Sequence, residues 1–133
     1  MKLHNEWVEL ARIDYYAMLK LSDDEYLAPM VLFHAQQCIE KLFKAILEQN
    51  GLDIPRVHST KRLYDIVFEF VKKPIDVDSL YFIDSVYIES RYPASFGLLP
   101  DGRATQRESK RAIEIVDSVL DALSLDFMAD IIS

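Results

Sequence analysis

Apolar residues recur three and four positions apart along most of this chain, a spacing that gathers them on one side of a helix. Trp7, Leu10, Ala11, Met18 and Leu21 keep the period from about His4 to Leu21, while Glu9, Arg12 and Lys20 fall elsewhere. Ser22-Asp23-Asp24-Glu25 reads as a break. A second helix opens at Pro29, whose missing N–H costs nothing in a first turn, and stops at Asn50-Gly51. Val31, Ala35, Cys38, Leu42, Ala45 and Ile46 form its broad apolar face, and His34, Gln37, Lys41, Lys44 and Glu48 gather opposite. Ser59 or Thr60 is placed to cap a third helix running to about Lys73, with Leu63, Ile66, Val67 and Phe70 inward and Pro74 as its stop.

A fourth helix is predicted from Asp76 or Asp78 to Arg91 or Tyr92, with Leu80, Ile83, Val86 and Tyr87 as its core stripe. Pro93 ends it, and the Pro- and Gly-bearing stretch from Ala94 to Arg103 reads as a surface loop. Thr105-Gln106-Arg107-Glu108 matches a capping box and opens a last helix to about Leu125. Ala112, Ile113, Val116, Val119, Leu120 and Leu123 are its inward residues. The expected fold class is all-α: an antiparallel up-and-down bundle of four main helices plus one shorter helix, in a single domain over residues 1–133.

Composition narrows the function. With 133 residues the chain is long enough to bury a core without staples. Its three glycines and five scattered prolines leave few turns, which suits long helices better than many strands. Fifteen basic against 22 acidic residues give a net charge of −7, which argues against broad, non-specific DNA binding but leaves room for a local basic site. A lone cysteine, Cys38, permits no intrachain disulfide and suits a reducing compartment. No run approaches a membrane span and the first residues lack a signal-peptide core, so a cytoplasmic location and no membrane partner are expected.

Four features carry candidate chemistry. Asp84, Tyr87 and Arg91 share a stripe on the fourth helix. Arg91 either pairs with Asp84 or caps the helix carboxyl end, or, with Tyr92 beside it, faces a cleft and grips phosphate with its planar fork. His34, Gln37, Lys41 and Lys44 are either a solvated face or a recognition surface, with amide and imidazole for a base and lysines for phosphate. Arg103, Arg107, Lys110 and Arg111 are either a solvated cluster paired with Glu108 and Glu114, or a patch for phosphates or an acidic partner. His58 either donates to a loop carbonyl or acts at a site. His4, His34 and His58 lack metal-ligand spacing, so no metal and no cofactor are expected. Cys38 sits mid-face among apolar residues, where a thiol packs rather than reacts.

The residues together resemble a known family. Phe33-His34-Ala35-Gln36-Gln37-Cys38-Ile39-Glu40-Lys41-Leu42-Phe43-Lys44-Ala45-Ile46-Leu47 is similar to the hallmark second-helix segment of HEPN domains. The Pro55 to His58 turn and the segment Tyr87 to Pro93, ending Ser-Arg-Tyr-Pro, resemble the family's following landmarks, in matching order over about residues 5 to 125. The resemblance implies a helical bundle, frequently a homodimer. It also implies a nucleotide or RNA setting, often as partner of a minimal nucleotidyltransferase in a toxin–antitoxin pair. Some members are metal-independent ribonucleases whose Arg, followed after four to six residues by His, works across the dimer. Here no arginine precedes a histidine by that interval, the last histidine being His58. The acid–base account of cleavage therefore lacks its usual agent. The expectation is a non-catalytic module with no assigned catalytic residue. A ribonuclease toxin with a site rearranged around His34 or His58, and a purely structural dimerisation protein, stand as alternatives.

Overall fold

The computed structural model describes residues 3–91 and 104–128, with backbone alone at 88–91. Among them are five α-helices and no strand: α1 (Glu6–Leu21), α2 (Ala28–Gln49), α3 (Thr60–Val67), α4 (Val77–Arg91) and α5 (Gln106–Ala122). Short 3₁₀ turns at Glu25–Leu27 and Phe68–Phe70 join α1 to α2 and follow α3. The helix ends follow local chemistry. Asn5 accepts from the Val8 amide at the start of α1, Ser59 from the Arg62 amide at the start of α3, and Thr105 with Glu108 closes the capping box of α5. Gly51 takes φ +69°, which lets the chain turn out of α2 without a Cβ clash.

The longest helix, α2, is the axle of the bundle and touches each of the other four. Its Val31, Leu32, Ala35, Cys38, Ile39, Leu42, Phe43, Ala45 and Leu47 are fully buried. Each large apolar side chain among them contributes about 1.5–3 kcal/mol of transfer free energy. α1 runs antiparallel to it: Asn5 Nδ2 donates to the Ala45 carbonyl (3.0 Å), while Asp14, two and a half turns on, meets His34 and Lys41.

Several side chains depart from the expected pattern. Leu10 is exposed, because α1 turns Val8, Ala11, Tyr15 and Met18 inward and that register rotates Leu10 away. α3 ends at Val67 rather than near Lys73, and Ile66 and Phe70 are exposed. The Ile75 amide donates to the Tyr64 hydroxyl (3.0 Å), drawing the following chain back across the short helix and leaving Thr60, Leu63, Tyr64 and Val67 as its inward side. Ile113 and Leu123 are half-buried. Lys44, expected on the open side of α2, is buried beside Glu40 and lies 5.6 Å from the Trp7 ring centre.

Candidate functional site

Two carboxylates inside the bundle each gather a histidine and a lysine. Asp14 occupies a core register of α1, three residues after Ala11 and four before Met18, and is buried with them. Its Oδ1 accepts from His34 Nδ1 (2.8 Å) and its Oδ2 from Lys41 Nζ (2.7 Å), so both ammonium and imidazole of α2 are clamped to α1. The side chains of His34 and Lys41 remain 21% and 23% exposed.

Glu40, also buried, lies on the adjoining side of α2. Its Oε2 accepts from Lys44 Nζ one turn on (3.0 Å), and its Oε1 from His58 Nδ1 (3.0 Å) and Gln36 Nε2 (3.2 Å). Gln36 Nε2 also donates to the His58 carbonyl, and Gln36 Oε1 accepts from Gln37 Nε2 (2.8 Å). The network ties the loop before α3 to the middle of α2. It ends in two surface groups, the Gln37 amide and a His58 side chain 62% exposed. A carboxylate on Nδ1 leaves Nε2 as the outward nitrogen of that ring.

The stripe His34, Gln37, Lys41 and Lys44 is thus divided between two networks rather than free in solvent. Along the open face of α2 itself run Phe33, Gln37 and Lys41, one turn apart and each half-buried. Phe33 stacks on Tyr87 of α4, with centroids 6.0 Å apart and planes at 22°.

Asp84 lies midway along α4, half-buried. Its carboxylate accepts from Ser59 Oγ (2.9 Å), Thr60 N (2.8 Å), Thr60 Oγ1 (2.8 Å) and Lys61 N (3.2 Å), anchoring the amino end of α3 to α4. That end carries unpaired N–H groups and partial positive charge, which a carboxylate satisfies. Arg91 is the last residue of α4; its side chain, and Tyr92 and Arg103 altogether, lie outside the described residues. Of the basic cluster, Arg107, Lys110 and Arg111 are exposed on α5. The Arg111 guanidinium sits 3.9 Å from the centre of the Phe82 ring, a cation–π contact. Glu108, expected to pair with these cations, is buried in the capping box, where its Oε1 accepts from Thr105 N and Oγ1 (both 2.8 Å).

Sequence reasoning passes over Asp14, Gln36 and Glu40. For Asp14 the available signal is a charged residue in core register between Ala11 and Met18. For Glu40 the paired lysine at Lys44 is visible one turn on, but not its inward turn. Cys38 is fully buried, and desolvation, then the charge of Asp14, pushes its thiol far above the usual range. Burial and the hydrogen bond to Asp117 (2.9 Å) likewise raise the Tyr15 phenol. No group of three or more His, Cys, Asp or Glu suited to a metal ion occurs among the described residues. No described helix is long and apolar enough to cross a membrane. Two clefts lie away from the α2 face. One, of about 450 Å³, is lined by Leu3, Ile46, Phe70, Val71, Lys72 and Leu123; the other, of about 320 Å³, contains Asp117, Asp121 and Asp126, a charge that repels phosphate.

An all-helical bundle with a long buried axle and a polar network reaching its surface defines a class of small helical modules. The HEPN domain profile matches residues 4–126, and the chain belongs to the HEPN domain family. Two solved structures resemble it. TT1696 of Thermus thermophilus superposes with a TM-score of 0.75 at 26% identity, over 90% of this chain and 94% of its own. ST0689, described as an archaeal HEPN homologue, gives 0.69 at 25% identity, over 93% and 97%. No protein of curated function matches this chain.

Proposed function

We propose that the chain is a non-catalytic HEPN module that binds a nucleotide or RNA and serves in the cytoplasm as partner of a minimal nucleotidyltransferase, in a toxin–antitoxin-like pair. The observation that carries this reading is the open face of α2. There Phe33, Gln37 and Lys41 follow one another at single-turn intervals, an aromatic ring, an amide and a cation. The absence of the Arg-x4–6-His spacing supports binding over cleavage. Arg91 with Tyr92 at the end of α4, and Arg103, Arg107, Lys110 and Arg111 leading into α5, would add cations for phosphate. A second copy of the chain is the proposed oligomeric partner: Ile13 is 64% exposed, and Leu10 and Met30 are exposed as well, apolar surface that a partner would cover.

Titration with nucleotides and short RNAs, followed by melting temperature and NMR shifts, tests the binding half. A response weakened in Lys41→Ala and Arg91→Ala is expected, and no response to any of them overturns it. Co-expression with a minimal nucleotidyltransferase should yield a co-purifying complex, and light scattering a dimer.

One observation favours a second reading, a metal-independent ribonuclease rearranged around His58. Its ring is oriented by buried Glu40 and exposes Nε2, the arrangement of a general acid or base. Metal-free protein that degrades a mixed RNA pool, and His58→Ala protein that does not, would replace the first reading with this one.

A further inference from the structure

We infer that the outer face of α5 pairs with the same face of a second copy of the chain, the two helices antiparallel about a two-fold axis at Glu114. This goes beyond the reading above, which looks to exposed apolar residues of α1 and α2 for a dimer and gives the acidic half of α5 no part. The ground is a division of charge along one helix. Arg107, Lys110 and Arg111 occupy the amino-terminal half of its exposed face, and Asp117 and Asp121 the carboxyl-terminal half. Helical geometry keeps all five within about a third of the circumference.

In a lone chain this order is unfavourable on two counts. The amino end of a helix is partially positive and the carboxyl end partially negative, so acids suit the first turns and cations the last. Here the one acid of the first turn, Glu108, is buried in the capping box, and the last turn carries no base. Arg107 and Arg111 stand one turn apart, and so do Asp117 and Asp121, like charges at the spacing where side chains meet. Arg111 lies over the neutral Phe82 ring and Asp117 accepts from the neutral Tyr15 hydroxyl (2.9 Å), so neither charge is cancelled there. Lys73 stands 3.7 Å from Asp121, with both side chains largely exposed.

An antiparallel second copy answers both counts. Arg107 comes to Asp121 of the second copy and Arg111 to its Asp117, and the two-fold axis makes each pairing occur twice. The amino end of each helix also meets the carboxyl end of the other. Glu114 meets its own counterpart at the axis, with Lys110 and Arg111 of the second copy alongside. Half-buried Ile113 and Phe82 border the face and supply apolar contact. A nucleic acid or an acidic protein would satisfy only the basic half, since the acidic half repels it. The whole face is matched by an occupant with the same division of charge in reverse order, and the face turned about is that occupant.

The test is sedimentation of the full chain from micromolar to near-millimolar concentration, beside Arg107→Glu, Asp121→Lys and an equimolar mixture of the two variants. The unaltered chain should self-associate reversibly, and each variant alone should do so more weakly, on the order of tenfold or more. The mixture should recover association as a heterodimer, because the two reversed ends match each other. Net charge alone predicts the opposite for Asp121→Lys, which makes the chain less acidic and would tighten association. Circular dichroism checks that both variants keep their helicity. Weakening in only one variant, or no recovery in the mixture, overturns the α5 contact. A dimer indifferent to both variants also overturns it, and its loss in Ile13→Asp would move the contact to α1 with dimerisation intact. A chain that stays monomeric throughout overturns both the α5 contact and the dimer.

Discussion

The Asp14 and Glu40 clusters use the same three kinds of group and do different work. Asp14 takes its histidine and lysine from another helix, 20 and 27 residues away, so the cluster rivets α1 to α2. Glu40 takes its lysine from its own helix, one turn on, and its histidine from the loop before α3. The second cluster therefore adds little to helix pairing. It fixes a loop and, through Gln36, the orientation of a surface amide. A buried carboxylate holding a lysine and a histidine is thus a rivet when the partners lie on a second helix, and an orienting device when its hydrogen bonds run outward to an exposed group.

Breaking the first cluster should have the largest effect. The double substitution His34→Ala, Lys41→Ala leaves Asp14 buried without a partner and should cost about 3–5 kcal/mol, read from the urea midpoint. A loss under about 1 kcal/mol would show that Asp14 reaches water and that the cluster is no rivet. Glu40→Gln keeps the shape of the second cluster but strands Lys44, at a cost of about 1–3 kcal/mol. It should also loosen the Gln36–Gln37 orientation, read from the Gln37 side-chain amide resonances.

Alkaline pH tests the buried groups beside the Asp14 cluster. The Cys38 thiol and Tyr15 phenol both have folded values raised above their ordinary 9.0 and 10.0. Each is held neutral in the fold and ionises more readily in the unfolded chain. Their stabilisation is therefore complete below about pH 9 and is lost as pH rises beyond it, by up to about 1.4 kcal/mol per pH unit for each group. Urea midpoints measured at rising pH should fall above about pH 9, and Cys38→Ala should flatten the slope. The smallest effect belongs to His58→Ala. Its largely exposed ring contributes about 0–1 kcal/mol, so the midpoint should hardly move while ligand binding changes.

Much of the fold is legible in single-residue chemistry. Ser59 and the Thr105–Glu108 box open helices and Gly51 closes one, for reasons confined to three or four neighbouring residues. The family segment from Phe33 to Leu47 coincides with the helix that every other helix touches. Periodicity draws the third helix too long because it continues through Ile66 and Phe70, whereas the chain turns back beyond Phe70 so that the Ile75 amide meets the Tyr64 hydroxyl. The site is legible in part. His34, Gln37 and Lys41 do share the α2 face, but the acids that govern them are invisible, since a lone Asp in a helix does not announce its partner. Nothing in the spacing of Asp84 shows that its carboxylate holds the first amides of α3.

From its residues alone this chain determined which segments are helical, where most of them start and stop, and the family to which it belongs, because capping and helical period depend on neighbours a few positions apart. Only the packed molecule decided which polar groups are buried, which acid holds which cation, and which edge of Gln37 faces outward. Those outcomes depend on which helices come to lie side by side, and pairing across the core joins residues whose separation along the chain carries no local signature.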